Sequence, residues 1–204
     1  MKELEDLRDR IVLATLPHVA FEGWSDRAIR VGWGDSGLPE PEAALIFTGG
    51  AAEMVEHWSR YADRRMTEAM ARPEIVSMDM RQRIAAAVRF RLEVNVPYRE
   101  AVRRTLSYLT LPANAALAAR CAYQTVNSIW YDCGDTSTDI AFYTKRATLV
   151  AVYGATVLYW LDDSSDEFTE TWAFLDRCLS GAGWLPKLKE RPFGGLFRLR
   201  SPRA

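Results

Sequence analysis

Apolar positions recur at helical spacing along almost the whole chain, and no segment alternates convincingly with period two. Leu4, Leu7, Ile11 and either Leu13 or Ala14 predict a helix over 2–15, which Pro17 is expected to end. Ser25 is placed to cap a short helix over 26–32, closed by Gly32 and Gly34. A third short helix is expected over 39–46 with Pro39 at its start, followed by a Phe47-Thr-Gly-Gly turn. A long helix over 51–71 carries Met54, Val55, Trp58, Tyr61 and Met66 on its apolar side. Ser77 is expected to cap a helix over 78–93. Its Ala85, Val88 and Leu92 face is apolar, and Arg81, Arg83, Arg89 and Arg91 supply its polar side. Pro97 and Pro112 start helices over 98–109 and 113–131.

The stretch 134–179 organises the rest. A charged, aromatic lead-in (Asp139, Phe142, Tyr143, Lys145, Arg146) runs into 147–161, whose only non-apolar residues are Thr148, Gly154 and Thr156. A helix apolar nearly all round is expected to be buried, in a core or in lipid. An acidic break, DDSSDE, separates it from a last helix striped with Trp, Phe and Leu. The fold class is therefore all-α, with about nine or ten helices.

Composition narrows the function. The 204 residues, 49% hydrophobic and 26% charged, describe a globular chain, and a net charge of -1 gives no global pull toward nucleic acid or anionic membrane. Three cysteines at irregular spacing argue against a disulfide framework. The mixed-charge N-terminus is expected to be neither a signal nor a transit peptide. The apolar run 147–161 is shorter than the ~20 residues a membrane span needs, so a core helix and a soluble protein are expected.

Short helix, glycine turn and short helix near the N-terminus resemble a helix-turn-helix. A DNA reader needs basic or amide side chains on the second helix, and here that helix has Glu40 and Glu42 and no basic residue. No nucleic-acid partner is expected. No metal site is expected either: there are two histidines and no Glu-x-x-His pair, and Glu53 with His57 reads as a surface pair. No cysteine, histidine or aspartate stands out as a catalytic set. Asp162, Asp163, Asp166 and Glu167 read as helix-start acids, with Ser164 and Glu167 as a capping box.

Asp139, Phe142, Tyr143 and Arg146 fall on one stripe of a helix by i, i+3, i+4, i+7 spacing, the pattern of a partner-binding hot spot. A core position for the aromatics beside a satisfied Asp–Arg pair is the alternative. In the tail, Trp184, Leu185, Leu188, Phe193 and Phe197 interleave with Lys187 and further basic residues. That composition suits contact with a membrane surface, although Pro186, Pro192 and two glycines break any long helix; a disordered basic tail is the alternative.

The stretch from Gly134-Asp135-x-Ser137-x-Asp139 through Tyr143-Thr144-Lys145-Arg146, the apolar helix, Asp163-Ser164-Ser165 and Thr171-Trp172-x-Phe174-Leu175 resembles the signature of the ubiquinone (coenzyme Q) biosynthesis accessory family of COQ-nine type. Arg89-Phe-Arg-Leu, Pro97-Tyr98, Leu111-Pro112-Ala-Asn114 and Ile129-Trp130 resemble it as well, and the likeness covers about residues 25–182. Phe142 fills the pattern's aromatic position, where one member of the family has Trp; Phe keeps apolar bulk but loses an indole N–H. The resemblance implies a fold like the TetR regulators and a homodimer. It implies no catalysis and no cofactor, but a bound isoprenoid or phospholipid. It also implies presentation of a quinone precursor to the demethoxyubiquinone hydroxylase.

On that reading, three regions are expected: a helix-turn-helix-like region over 1–48, a lipid-binding and dimerisation domain over 49–182, and a basic apolar tail over 183–204. The partner patch comprises Ile129, Trp130, Asp139, Phe142, Tyr143 and Arg146. Val88, Leu92, Tyr153 and Val157, apolar on helices expected to face inward, are the lipid-pocket candidates. The expected location is cytoplasmic, peripheral on the inner face of a bacterial membrane, or the matrix side in a processed eukaryotic form. The rivals are a TetR-type ligand-responsive regulator and, more weakly, an enzyme.

Overall fold

Pro17 does not stop the first helix. In the computed structural model, which describes residues 2–135 and 140–181, α1 runs Lys2–Glu22 with Pro17 inside it. The proline forfeits one backbone bond, but Ile11, Val12, Leu16 and Val19 are buried on the same helix, and that packing outweighs the local penalty. Nor does Gly32 stop α2 (Asp26–Asp35), which Ser25 caps by accepting a bond from the Ala28 amide. Gly32 is where α2 presses on α1: a Cβ there would lie 2.2 Å from Thr15 Oγ1.

The chain continues through α3 (Glu40–Ile46), α4 (Gly50–Met70), α5 (Pro73–Val76) and α6 (Met80–Glu93). A 3-10 turn, Val96–Tyr98, leads into α7 (Arg99–Leu109), and another, Pro112–Asn114, into α8 (Ala115–Asp132). The long α9 (Ile140–Asp162), a 3-10 turn at Asp166–Phe168 and α10 (Thr169–Gly181) complete it. Ten α-helices and no strand occur among the described residues, the all-α architecture read from periodicity. Ser77 ends α5 rather than capping α6. The cap of α6 is Asp79, which exchanges bonds with Gln82 in a capping box.

Two clusters of buried side chains form the interior. Ile11, Leu16, Val19, Phe47 and Met54 build one, and Met66, Ile84, Val88, Ile129, Trp130 and Trp160 the other. Helix α4 contributes to both. The apolar run 147–161 is buried on one side only. Leu149, Val157 and Trp160 face inward, while Ala147, Ala151, Ala155 and Leu158 are exposed. No helix among the described residues is both long and apolar enough to cross a membrane.

The acidic break is organised by Asp163, not by Ser164 and Glu167. Its carboxylate accepts from the Ser165 amide at 2.7 Å and the Thr171 amide at 2.9 Å, and from the Thr171 hydroxyl. Glu167 takes a left-handed backbone conformation (φ 50°), which removes it from the capping position. Burial pushes the Asp163 carboxyl up, but the bonds from Ser165 and Thr171 outweigh it and hold its pKa at about 2. A carboxyl depressed in the folded state stabilises above its ordinary value of 3.8, and that contribution is lost as pH falls toward about 2. Asp163→Asn is therefore expected to cost about 1 kcal/mol at neutral pH. The difference in melting temperature from the wild type should shrink as pH falls from 3.8 to about 2. A difference unchanged across that range would show that the Asp163 charge does not hold the turn.

Candidate functional site

A cavity of about 440 Å³ lies between α4, α6, α7, α8 and α9. Its volume is in the range of small-molecule sites. Val55, Leu92, Val102, Leu106, Val150 and Val157 supply much of its apolar wall. Gly154 also lines it, and a Cβ built there meets nothing within 4 Å. Leu158 both lines the cavity and is 61% exposed, so the cavity reaches the surface along the exposed apolar side of α9.

A polar network centred on Arg91 sits in this wall. Arg91, 8% exposed, donates from Nε to Asp63 Oδ1 at 2.7 Å, from Nη1 to the Tyr153 hydroxyl at 2.6 Å and from Nη2 to Ser59 Oγ at 3.0 Å. Asp63 also accepts from the Thr125 hydroxyl. Burial pushes the Tyr153 phenol up, so it stays an O–H at neutral pH. Burial does the same to the Cys121 thiol, which also lines the cavity, and pushes Cys133 up to about 12. Neither is a thiolate at neutral pH.

Of the lipid-pocket candidates, Leu92, Tyr153 and Val157 line the cavity, whereas Val88 is packed in the core outside its lining. Arg91 was grouped with the solvent-facing arginines and is instead buried, because it follows Ile84, Ala87 and Val88 on the inward face of α6. That register, a single arginine at i+3 from Val88 and next to Leu92, was the available signal. Trp58 and Asn95, both in the wall, were missed as site residues.

The stripe on α9 divides. Tyr143 is 71% exposed, and Ile140 three residues earlier on α9 is exposed as well, so Tyr143 is a surface residue and not core. Phe142 is partly covered, with its ring 5.2 Å from that of Tyr143 and the Arg146 guanidinium 3.4 Å from its centre. Arg146 is buried, bonding to Asn127 at 3.0 Å and Asp135 at 3.4 Å, so it braces the start of α9 from within. Ile129 and Trp130 are buried beneath the surface, with the Lys145 ammonium 5.3 Å from the Trp130 ring. Asp139 and the tail residues Trp184, Leu185, Lys187, Leu188, Phe193 and Phe197 lie outside the described residues.

The Glu53–His57 surface pair does not form. His57 is buried, with Nε2 2.7 Å from Asp9 Oδ1, and Glu53 pairs with Arg8 at 2.6 Å. Burial pushes the His57 imidazole below its ordinary pKa, against the pull of Asp9. Glu5, Asp9 and His57 bring ligand atoms within 4.8 Å of one another. Arg64 already bonds both carboxylates, at 2.7 and 2.6 Å, so a cation there would have to displace a guanidinium.

The architecture is a TetR-like helical fold. It superposes on a TetR transcriptional regulator from Nitrosomonas europaea ATCC 19718 with a TM-score of 0.72, covering 88% of this chain and 99% of that one. At 23% identity, that likeness speaks for the fold alone. By sequence the chain is COQ9-like: residues 115–185 match the COQ9 family model, which contains the signature over 134–179. The ubiquinone biosynthesis protein COQ9, mitochondrial, of Xenopus tropicalis is 34% identical over 185 residues, 87% of this chain. Its Homo sapiens counterpart is 33% identical over the same share. The chain spans 58% of the length of each of these two relatives.

Proposed function

We propose that the chain is a non-catalytic, lipid-binding accessory protein of ubiquinone biosynthesis. It takes up a polyprenylated quinone precursor at a membrane surface and presents it to a demethoxyubiquinone hydroxylase. The observation that carries the reading is the cavity of about 440 Å³, walled mostly by aliphatic side chains and reaching the surface at Leu158. A long polyprenyl tail is apolar, and the exposed alanines of α9 beside Leu158 continue the apolar path out of the cavity. A second copy of the chain, and the basic apolar tail at a membrane surface, complete the reading. The place of action is the inner face of a bacterial membrane or the matrix side of a mitochondrial one; the relatives are named mitochondrial.

The test is native mass spectrometry with lipid extraction of the purified chain. Recovery of an isoprenoid quinone precursor is expected, and recovery of no lipid at all removes the reading's main support. For the presenting surface, Tyr143→Ala is expected to leave the melting temperature unchanged and to weaken hydroxylase binding about tenfold or more, as loss of an aromatic anchor does. Unaltered affinity in a binding titration would take Tyr143 out of the interface. The regulator reading is disfavoured because α3 exposes Glu42 and carries no basic residue, which would repel phosphates.

A further inference from the structure

We propose that Trp58 and Asn95 select the head of the cavity's ligand, and that this head is uncharged and carries a hydroxyl group. The proposal rests on the lipid-binding reading and adds to it the chemistry of the head. Trp58 and Asn95 both line the cavity and are 5% and 4% exposed. Trp58 Nε1 and Asn95 Oδ1 are buried with no hydrogen-bond partner among the described residues. Leaving such groups unpaired costs about 1–3 kcal/mol each, so a ligand that satisfies both is favoured over one that does not.

The two atoms ask for opposite things. An indole N–H can only donate, and an amide oxygen can only accept. Asn95 cannot exchange these roles by turning its amide over, because its Nδ2 already donates to the Arg91 carbonyl at 2.9 Å. One hydroxyl oxygen answers both needs: it accepts from Trp58 and donates its proton to Asn95. An ether or a ketone answers only Trp58.

The two residues flank one contact. Asn95 lies a helical turn beyond Arg91, and Arg91 donates to Ser59, the residue after Trp58. Neighbouring polar groups in the wall are already engaged: Thr105 accepts from Trp24 and donates to the Ala101 carbonyl, and Thr125 donates to Asp63. The charge of Arg91 is matched by Asp63 at 2.7 Å. The wall therefore offers no surplus positive charge to a phosphate or carboxylate, whose burial would go uncompensated.

The test is isothermal calorimetry of the full chain, delipidated, with four probes sharing a farnesyl tail: a farnesylphenol, its methyl ether, farnesol and farnesoic acid at neutral pH. A hydroxyl probe is expected to bind at least about tenfold more tightly than the ether and the acid. Whether the phenol or the alcohol is tighter tells a ring head from a chain alcohol. Trp58→Phe keeps an aromatic ring and removes the N–H, and Asn95→Leu removes the acceptor at similar volume. Each is expected to reduce the preference for hydroxyl over ether to less than about threefold, with thermal melts confirming the fold. Equal binding of hydroxyl and ether by the wild type overturns the head assignment alone, as does a preference that persists in either folded variant. Binding of none of the probes overturns the lipid-binding reading and this assignment together.

Discussion

Gly154→Phe is expected to abolish lipid retention while leaving the protein folded. Gly154 sits in the middle of α9, lines the cavity, and has open space within 4 Å of where a Cβ would stand. A glycine inside a helix costs about 0.5–1 kcal/mol relative to alanine. No neighbour among the described residues approaches, so their packing does not require it. On the lipid-binding reading the glycine leaves room at the cavity wall for the occupant, room that a large side chain would take up. Gly154→Ala should raise helix stability by about that 0.5–1 kcal/mol and narrow the cavity only slightly. Gly154→Phe should fill it. Thermal melts and native mass spectrometry separate the two effects. A Gly154→Phe protein that melts normally and still carries a full complement of lipid would mean the cavity is not where the lipid sits.

The largest loss of stability is expected from Arg91→Met. The Arg91–Asp63 pair is buried, and removing the guanidinium leaves the Asp63 carboxylate with the Thr125 hydroxyl alone among the described residues. Breaking a buried pair from one side costs about 3–5 kcal/mol. In a protein of this size that is a fall of roughly 6–20 °C in melting temperature. Tyr153 and Ser59 lose a donor at the same time, which unties α4 from α6 and α9. Replacing both partners, Arg91→Met with Asp63→Leu, should recover much of the loss, because no buried charge is then left over. A single variant as stable as the wild type would show that the pair contributes nothing to the packing around the cavity.

Where sequence reasoning failed, the failures share a cause. Pro17, Gly32 and Ser77 each carry a local signal for a helix boundary that tertiary packing or a better cap overrode. At the acidic break, Ser164 and Glu167 have the spacing of a capping box, but Asp163 reaches two amides and a hydroxyl and takes over. In the stripe on α9, spacing placed Phe142, Tyr143 and Arg146 together. Spacing says which side chains share a face and is silent on whether that face meets solvent. Arg146 turns inward because Asn127 and Asp135 await it. Tyr143 is left outside.

The sequence by itself determined the all-α class, nearly every helix, the acidic third helix that speaks against DNA, and the COQ9-like signature. These depend on periodicity, on charge, and on runs of neighbouring residues, all of which are local. Only the tertiary structure decided that Arg91 is buried against Asp63, that α9 keeps one apolar side exposed, and that Trp58, Asn95 and Tyr153 meet around one cavity. The cavity draws its wall from five helices spread between Val55 and Leu158. Its shape and its unpaired polar atoms follow from how those helices cross, a relation between distant segments that no local pattern encodes.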